Sequence, residues 1–313
     1  LLLTGCETDI SVFDNYEIPL SQSSEQDISE GTTADNIDSE FLSADICVVP
    51  KKKQSQKDSF MTAGASLIFD NTHNKMLYAD NIYTKMYPAS TTKIVTALVA
   101  LKYGNLNDEV TISYNATHIN EYGAKLCGFA EGDKITLKKL LYSFLICSGN
   151  DAGIAIAEHI AGSVDKFAAM MNKEVKALGC SGSNFVNPHG LHDDNHYTTP
   201  YDLYLVFHEL LKYDVFMDII NHSSYKAEFN GADGNKKTLW FTSTDKYLLG
   251  SAKAPEGVTV IGGKTGTTSM AGSNLILYSK NSNGNSYISV VMHASDSFSL
   301  YSQMSHLLEL ENQ

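Results

Sequence analysis

The sequence predicts an α/β domain of the α+β kind: an antiparallel sheet built from the two ends of the folded body, flanked by helices, with a helical insertion. Three observations predict it. Strand-like segments with turn residues between them occur at both ends of the body, helix-period segments fill its middle, and no internal repeat divides the 313 residues. Residues 63–70 and 75–79 read as two strands around the polar turn 71–74. Pro88-Ala89-Ser90 then opens a helix whose Ile94, Val95, Ala97, Leu98 and Leu101 follow the 3.6 spacing until Gly104 ends it. Further helical patterns lie at 136–146, 152–161, 164–178 and 199–211. Strand signals return at 239–244, 258–261, 274–278 and 287–292, the last two flanking the hairpin dipeptide Asn283-Gly284. A helix over about 298–310 closes the series.

The formal net charge of −13 is unevenly placed. Eleven of the 36 acidic side chains lie between Glu7 and Asp45 with no basic residue among them, so the remainder is nearly neutral. All 23 basic residues are Lys. Without Arg there is no guanidinium fork, and anion recognition falls to Lys, hydroxyls or backbone N–H groups. A neutral body behind an acidic arm lacks the basic stripe of a nucleic-acid binder, and no apolar run of 18 residues is present to span a bilayer.

Leu3-Thr4-Gly5-Cys6 resembles the bacterial lipobox, in which the Cys is lipidated and tethers the chain to the outer face of the membrane. Residues 1–5 are then a signal-peptide remnant, and 6–57 the lipidated Cys6 with a disordered acidic stalk, too polar to fold. The folded domain is expected over 58–313, with its helical part at about 105–235. Cys47, Cys127, Cys147 and Cys180 show no C-x-x-C pairing, and buried free thiols are the expected reading.

Three short motifs carry the chemistry. Ser90 and Lys93, three apart at a helix start, share one face, so the amine can reach the hydroxyl. Alone this says little, because the same spacing recurs at Ser163/Lys166, Ser223/Lys226 and Ser243/Lys246. Ser-x-Asn also recurs, at Ser113/Asn115, Ser148/Asn150 and Ser279/Asn281, whereas Lys264-Thr265-Gly266 stands alone. What singles out Ser90-Thr91-Thr92-Lys93, Ser148-Gly149-Asn150 and Lys264-Thr265-Gly266 is their occurrence in the order of a serine-acyltransferase triple motif.

With Asn187-Pro188-His189-Gly190-Leu191 and Gly263-Lys264-Thr265-Gly266-Thr267, the body over about 58–310 resembles the D-alanyl-D-alanine carboxypeptidases of the low-molecular-mass penicillin-binding type. The resemblance implies the β-lactamase/DD-peptidase-like fold and removal of the terminal D-Ala from peptidoglycan stem peptides through an acyl-Ser90 intermediate, with β-lactams acylating the same Ser. It implies no cofactor and no metal. Ser is a weak nucleophile that needs an adjacent base, and Lys93 can serve if burial and a second cation hold it deprotonated. By resemblance Lys264 is that cation, Ser148 relays a proton to the leaving amine, and Asn150 holds the substrate amide. Lys264, Thr265, Gly266 and Thr267 bind and align the substrate end, and the backbone N–H groups of Ser90 and Thr267 form the oxyanion hole. The chain departs from many members in one respect: residues 294–301 hold no Arg to grip the terminal carboxylate.

A serine β-lactamase of the related scaffold deacylates with a Glu, and residues 182–191 offer no acid. A lipid-tethered cell-wall-binding module without turnover would retain the fold. His189, His192, Asp193, Asp194 and His196 are zinc-competent but read better as a polar loop beside the cleft. Asp151 reads equally as a helix cap or a reacting group.

Overall fold

The computed structural model describes residues 46–50, 54–56, 58–121 and 123–313. The expected lipidation at Cys6 and the acidic run that follows lie outside the described residues.

The first strands are β1 (Ala65–Asp70) and β2 (Lys75–Asp80), followed by a 3-10 turn (Ala89–Thr92) that runs directly into α1 (Lys93–Tyr103). Next come β3 (Glu109–Thr111), α2 (Tyr114–Thr117), β4 (Lys134–Thr136), α3 (Leu137–Cys147), α4 (Asn150–Ala161), α5 (Val164–Ala177), α6 (Pro200–Leu210) and α7 (Asp214–Ile220). Then follow β5 (Ser224–Asn230), β6 (Lys236–Thr242), β7 (Val258–Thr268), β8 (Gly272–Asn281), β9 (Ser286–Ala294) and α8 (Ser297–Leu308).

The two ends of the body do form one antiparallel sheet, in the order β2-β1-β9-β8-β7. The inner strands β1, β9 and β8 are buried along nearly their whole length because both faces are covered, whereas the edge strands β2 and β7 are partly exposed. Period-two alternation divides their side chains: Ile68, Leu275, Leu277 and Val291 pack against Leu300, Met304 and Leu307 of α8, while Leu67, Phe69, Ile276, Val290 and Met292 join the larger core around α1 and α6. Residues 93–100 of α1 are all buried, which explains why this helix is apolar nearly all round. Its polar members Lys93 and Thr96 are therefore placed in the interior, where each needs partners.

Two expected boundaries shift. The helical insertion is mixed, since β3, β4, β5 and β6 make a second antiparallel sheet beside the helices. The two strands of three residues are too short to show a period, and β5 buries only Ala227 and Phe229. The stalk expected to run to residue 57 is also too long. Cys47 and Val49 are buried, the Cys47 N–H donates to the Tyr204 hydroxyl at 2.9 Å, and the Tyr201 hydroxyl donates to the Cys47 carbonyl at 3.0 Å. Residues 46–49 are an acid-free apolar run, and such a run is stabilised by leaving water even when it directly follows a charged segment.

Candidate active site

Ser90 lies in the 3-10 turn and Lys93 begins α1, so the i, i+3 spacing stacks the two side chains on one face. Lys93 Nζ is 2.9 Å from Ser90 Oγ, 2.8 Å from Asn150 Oδ1 and 2.6 Å from the His189 carbonyl oxygen. The last two atoms can only accept, so they take two N–H bonds and the third tetrahedral position of nitrogen faces the serine. In a neutral amine that position holds the lone pair, to which the Ser90 hydroxyl donates. Burial, and secondarily the charge of Lys264, push the Lys93 pKa well below that of a free lysine.

The approach to Ser90 is tightly determined. Ala89 has φ of 48°, a left-handed conformation that a residue with Cβ adopts only under external constraint. That constraint is visible: Asn274 of β8, fully buried, donates from Nδ2 to the carbonyls of Tyr87 and Pro88, both at 3.0 Å. The sequence marks Asn274 only as part of a strand. The signal was an amide heading an apolar run, where a buried polar group requires a specific partner.

Across the cleft, Ser148 is the C-cap of α3 in the left-handed conformation, φ 66° and ψ 31°. This sharp turn aims its hydroxyl at Lys264 Nζ, 2.9 Å away, which also donates to the Thr265 carbonyl at 2.9 Å. Asn150 opens α4, and its N–H donates to the Lys125 carbonyl at 2.6 Å. Burial, and then the charge of Lys125, bring the Lys264 pKa down to about 7.

Strand β7 carries Lys264 to Thr267 along the cleft edge. It passes so close to the nucleophile that a Cβ on Gly266 would sit 2.8 Å from the Ser90 nitrogen and from the Pro88 oxygen. Thr265 Oγ1 lies 2.6 Å from Thr244 Oγ1, a hydroxyl partner that sequence reasoning missed. The cleft has a volume of about 630 Å³ and is lined by Ser90, Ser148, Asn150, Thr265, Gly266 and Thr267 among others. Lys125 and Lys246 also reach it, opposed by the single acid Glu121. An anionic ligand end meets lysines and hydroxyls here, two of the three kinds of group left to an arginine-free chain.

The remaining sequence candidates are brought near but used structurally. His189 lends Lys93 its carbonyl, and its Nδ1 accepts the Leu191 N–H at 3.2 Å. His196 Nε2 pairs with Thr92 Oγ1 at 2.7 Å, and its Nδ1 accepts the Val186 N–H at 3.1 Å. Among the described residues, no group of three or more His, Cys, Asp or Glu side chains is placed to hold a metal. Asp151 is not the N-cap residue of α4 and does not line the cleft; its carboxylate accepts the Ala152 N–H in the first turn of α4 at 2.9 Å, and the N–H groups of Cys127 and Gly128 at 2.8 and 2.9 Å.

A serine hydroxyl against a buried lysine amine whose pKa burial depresses, with a second lysine and hydroxyl opposite and a strand edge alongside, is the equipment of an active-site serine acyl-transferring enzyme. The chain belongs to the peptidase S11 family, D-alanyl-D-alanine carboxypeptidase, whose model matches residues 51–296. It is 32% identical over 252 residues to D-alanyl-D-alanine carboxypeptidase DacF of Bacillus subtilis, covering 79% of this chain and 61% of that protein. To DacA of Haemophilus influenzae it is 33% identical over 238 residues, covering 74% and 57%. The chain thus spans about three fifths of the length of these curated relatives. Among solved structures, the Streptomyces K15 DD-transpeptidase superposes with a TM-score of 0.75 at 26% identity, covering 82% of this chain and 99% of that one. Penicillin-binding protein 5 of Haemophilus influenzae gives 0.69 at 29% identity, covering 82% and 72%. The expected fold class and family are borne out.

Proposed function

We propose that this protein is a serine-type D-Ala-D-Ala carboxypeptidase that trims the terminal D-Ala from peptidoglycan stem peptides and is acylated by β-lactams. The observation that carries the reading is the placement of Lys93 Nζ 2.9 Å from Ser90 Oγ, with its other two bonds committed to acceptors. Ser90 Oγ attacks the carbonyl carbon of the penultimate D-Ala as its proton passes to Lys93. The oxyanion accepts from the backbone N–H groups of Ser90 and Thr267. The C–N bond breaks, the departing amine takes a proton through Ser148, and water then cleaves the acyl-Ser90 ester. Asn150 holds the peptide amide, while Lys264, Thr265 and the cleft lysines receive the terminal carboxylate. Lipidation of Cys6 would hold the enzyme at the outer face of the membrane, beside its substrate.

The full chain incubated with diacyl-Lys-D-Ala-D-Ala is expected to release D-Ala, and with benzylpenicillin to gain one penicillin on the peptide containing Ser90. Absence of both products from folded protein would overturn the reading. Gly266→Ala supplies a finer test. The added methyl pushes β7 off the Ser90 amide, so penicillin acylation slows by about 100-fold, as expected for misplacement near 1 Å. Wild-type rates in a variant of unchanged circular dichroism would detach the strand edge from the chemistry.

A further inference from the structure

Two thiols that the reaction does not use sit under the active-site loop. Cys127 Sγ and Cys147 Sγ are 3.4 Å apart, and both are buried and unbridged. Cys147 is the last residue of α3, and the next residue is Ser148, held left-handed with its hydroxyl on Lys264. Cys127 lies in the segment that covers this turn. Its sulfur rests on the backbone of Gly149 so closely that a Cβ there would come within 2.3 Å of it. The same segment is fastened to α4 by the Asp151 carboxylate on the Cys127 and Gly128 N–H groups, and by the Lys125 carbonyl on Asn150.

We propose that Cys127 and Cys147 form a reversible oxidative modification site: a peroxide converts them to a disulfide that displaces Ser148 and slows the enzyme. The control of turnover rests on the carboxypeptidase reading; the bond itself does not. Cys147 is the attacking sulfur, because the hydrogen bond from Cys127 lowers its pKa, with Lys125 and Lys264 adding to the effect, whereas burial raises that of Cys127. The Cys147 thiolate attacks one peroxide oxygen, the O–O bond breaks, and the released hydroxide is protonated to water, leaving a sulfenic acid. The Cys127 sulfur then attacks the sulfenic sulfur and loses its proton as a second water departs. Two thiols and one hydrogen peroxide yield one disulfide and two waters. Closing the sulfurs to the bonded distance of about 2.05 Å needs a relative movement of more than 1 Å. Gly149 and Asp151 hold Cys127 in place, so much of that movement falls on Cys147 and hence on Ser148.

The test exposes the full chain to hydrogen peroxide and, in parallel, to dithiothreitol, then follows peptide mass mapping and the rate of penicillin acylation and D-Ala release. A cross-linked Cys127–Cys147 peptide, 2 Da lighter than the pair of reduced peptides, is expected. With it should come a rate at least about tenfold lower, restored by dithiothreitol and insensitive to peroxide in Cys127→Ala. Absence of that cross-link, or a cross-link with an unchanged rate, or equal inactivation of Cys127→Ala, would overturn the proposal. If the reduced protein itself releases no D-Ala, the carboxypeptidase reading fails while the mass map still decides whether the site exists.

Discussion

Ser90→Ala is expected to abolish both D-Ala release and the mass gain from penicillin, a loss of about 10⁵-fold or more, because no other hydroxyl can take over the attack. The geometry makes the loss specific. Ser148 Oγ, the other hydroxyl of the motif, lies on Lys264, which burial leaves with a pKa of about 7 and which is also bonded to the Thr265 carbonyl. Of the three partners of Lys93 Nζ, only the Ser90 hydroxyl has a proton to give, since the Asn150 Oδ1 and the His189 carbonyl can only accept. Removing one oxygen costs the fold little. Ser90 is half-buried and its backbone conformation is set by Ala89 and by the Asn274 bonds to the preceding carbonyls, not by its side chain. Thermal unfolding within about 3 °C of wild type, with acylation absent, is the expected pair of measurements. Residual stoichiometric acylation of another Ser would reassign the nucleophile.

The sequence carried much of this site because its motifs are local. Ser90 and Lys93 are three apart on one turn, Ser148 and Asn150 flank one helix junction, and Lys264 to Thr267 run along one strand, so each triplet's geometry follows from a single element. What joins the triplets is non-local and left weak traces. Thr244, in the connection after β6, meets Thr265 of β7, and the Lys93 amine reaches the His189 carbonyl 96 residues away. A backbone acceptor has no residue signature. The main sheet was legible because its strands are long and apolar, whereas β3 and β4, three residues each, are recognisable only once paired. The stalk boundary failed for a related reason. Cys47 is held by the hydroxyls of Tyr201 and Tyr204 and joins the main core together with Val49, and nothing in residues 46–50 says that such a surface exists.

Lys93→Met, which keeps an unbranched apolar stem and removes the nitrogen, should lower the rate constant of acylation by about 10⁴-fold without removing Ser90. The loss has a structural component as well, since the Asn150 Oδ1 and His189 carbonyl acceptors each lose a buried donor, at about 1–3 kcal/mol apiece. The pH profile separates general base catalysis from packing. Only neutral Lys93 can take the proton, so in the wild type kcat/KM rises with pH as that amine deprotonates, well below the range of a free lysine. Lys264 acts in the opposite sense: it receives the carboxylate as a cation, and its loss of charge near pH 7 gives the alkaline limb. Bound carboxylate holds Lys264 protonated, so the alkaline limb of kcat, which reports the complex, should lie above that of kcat/KM, which reports the free enzyme. The charge of Lys264 also depresses the Lys93 pKa. Lys264→Gln should therefore weaken substrate binding and move the acid limb to higher pH. A rate that retains its wild-type acid limb in Lys264→Gln would show that burial alone sets the base, and an acid limb persisting in Lys93→Met would remove Lys93 from the proton path altogether.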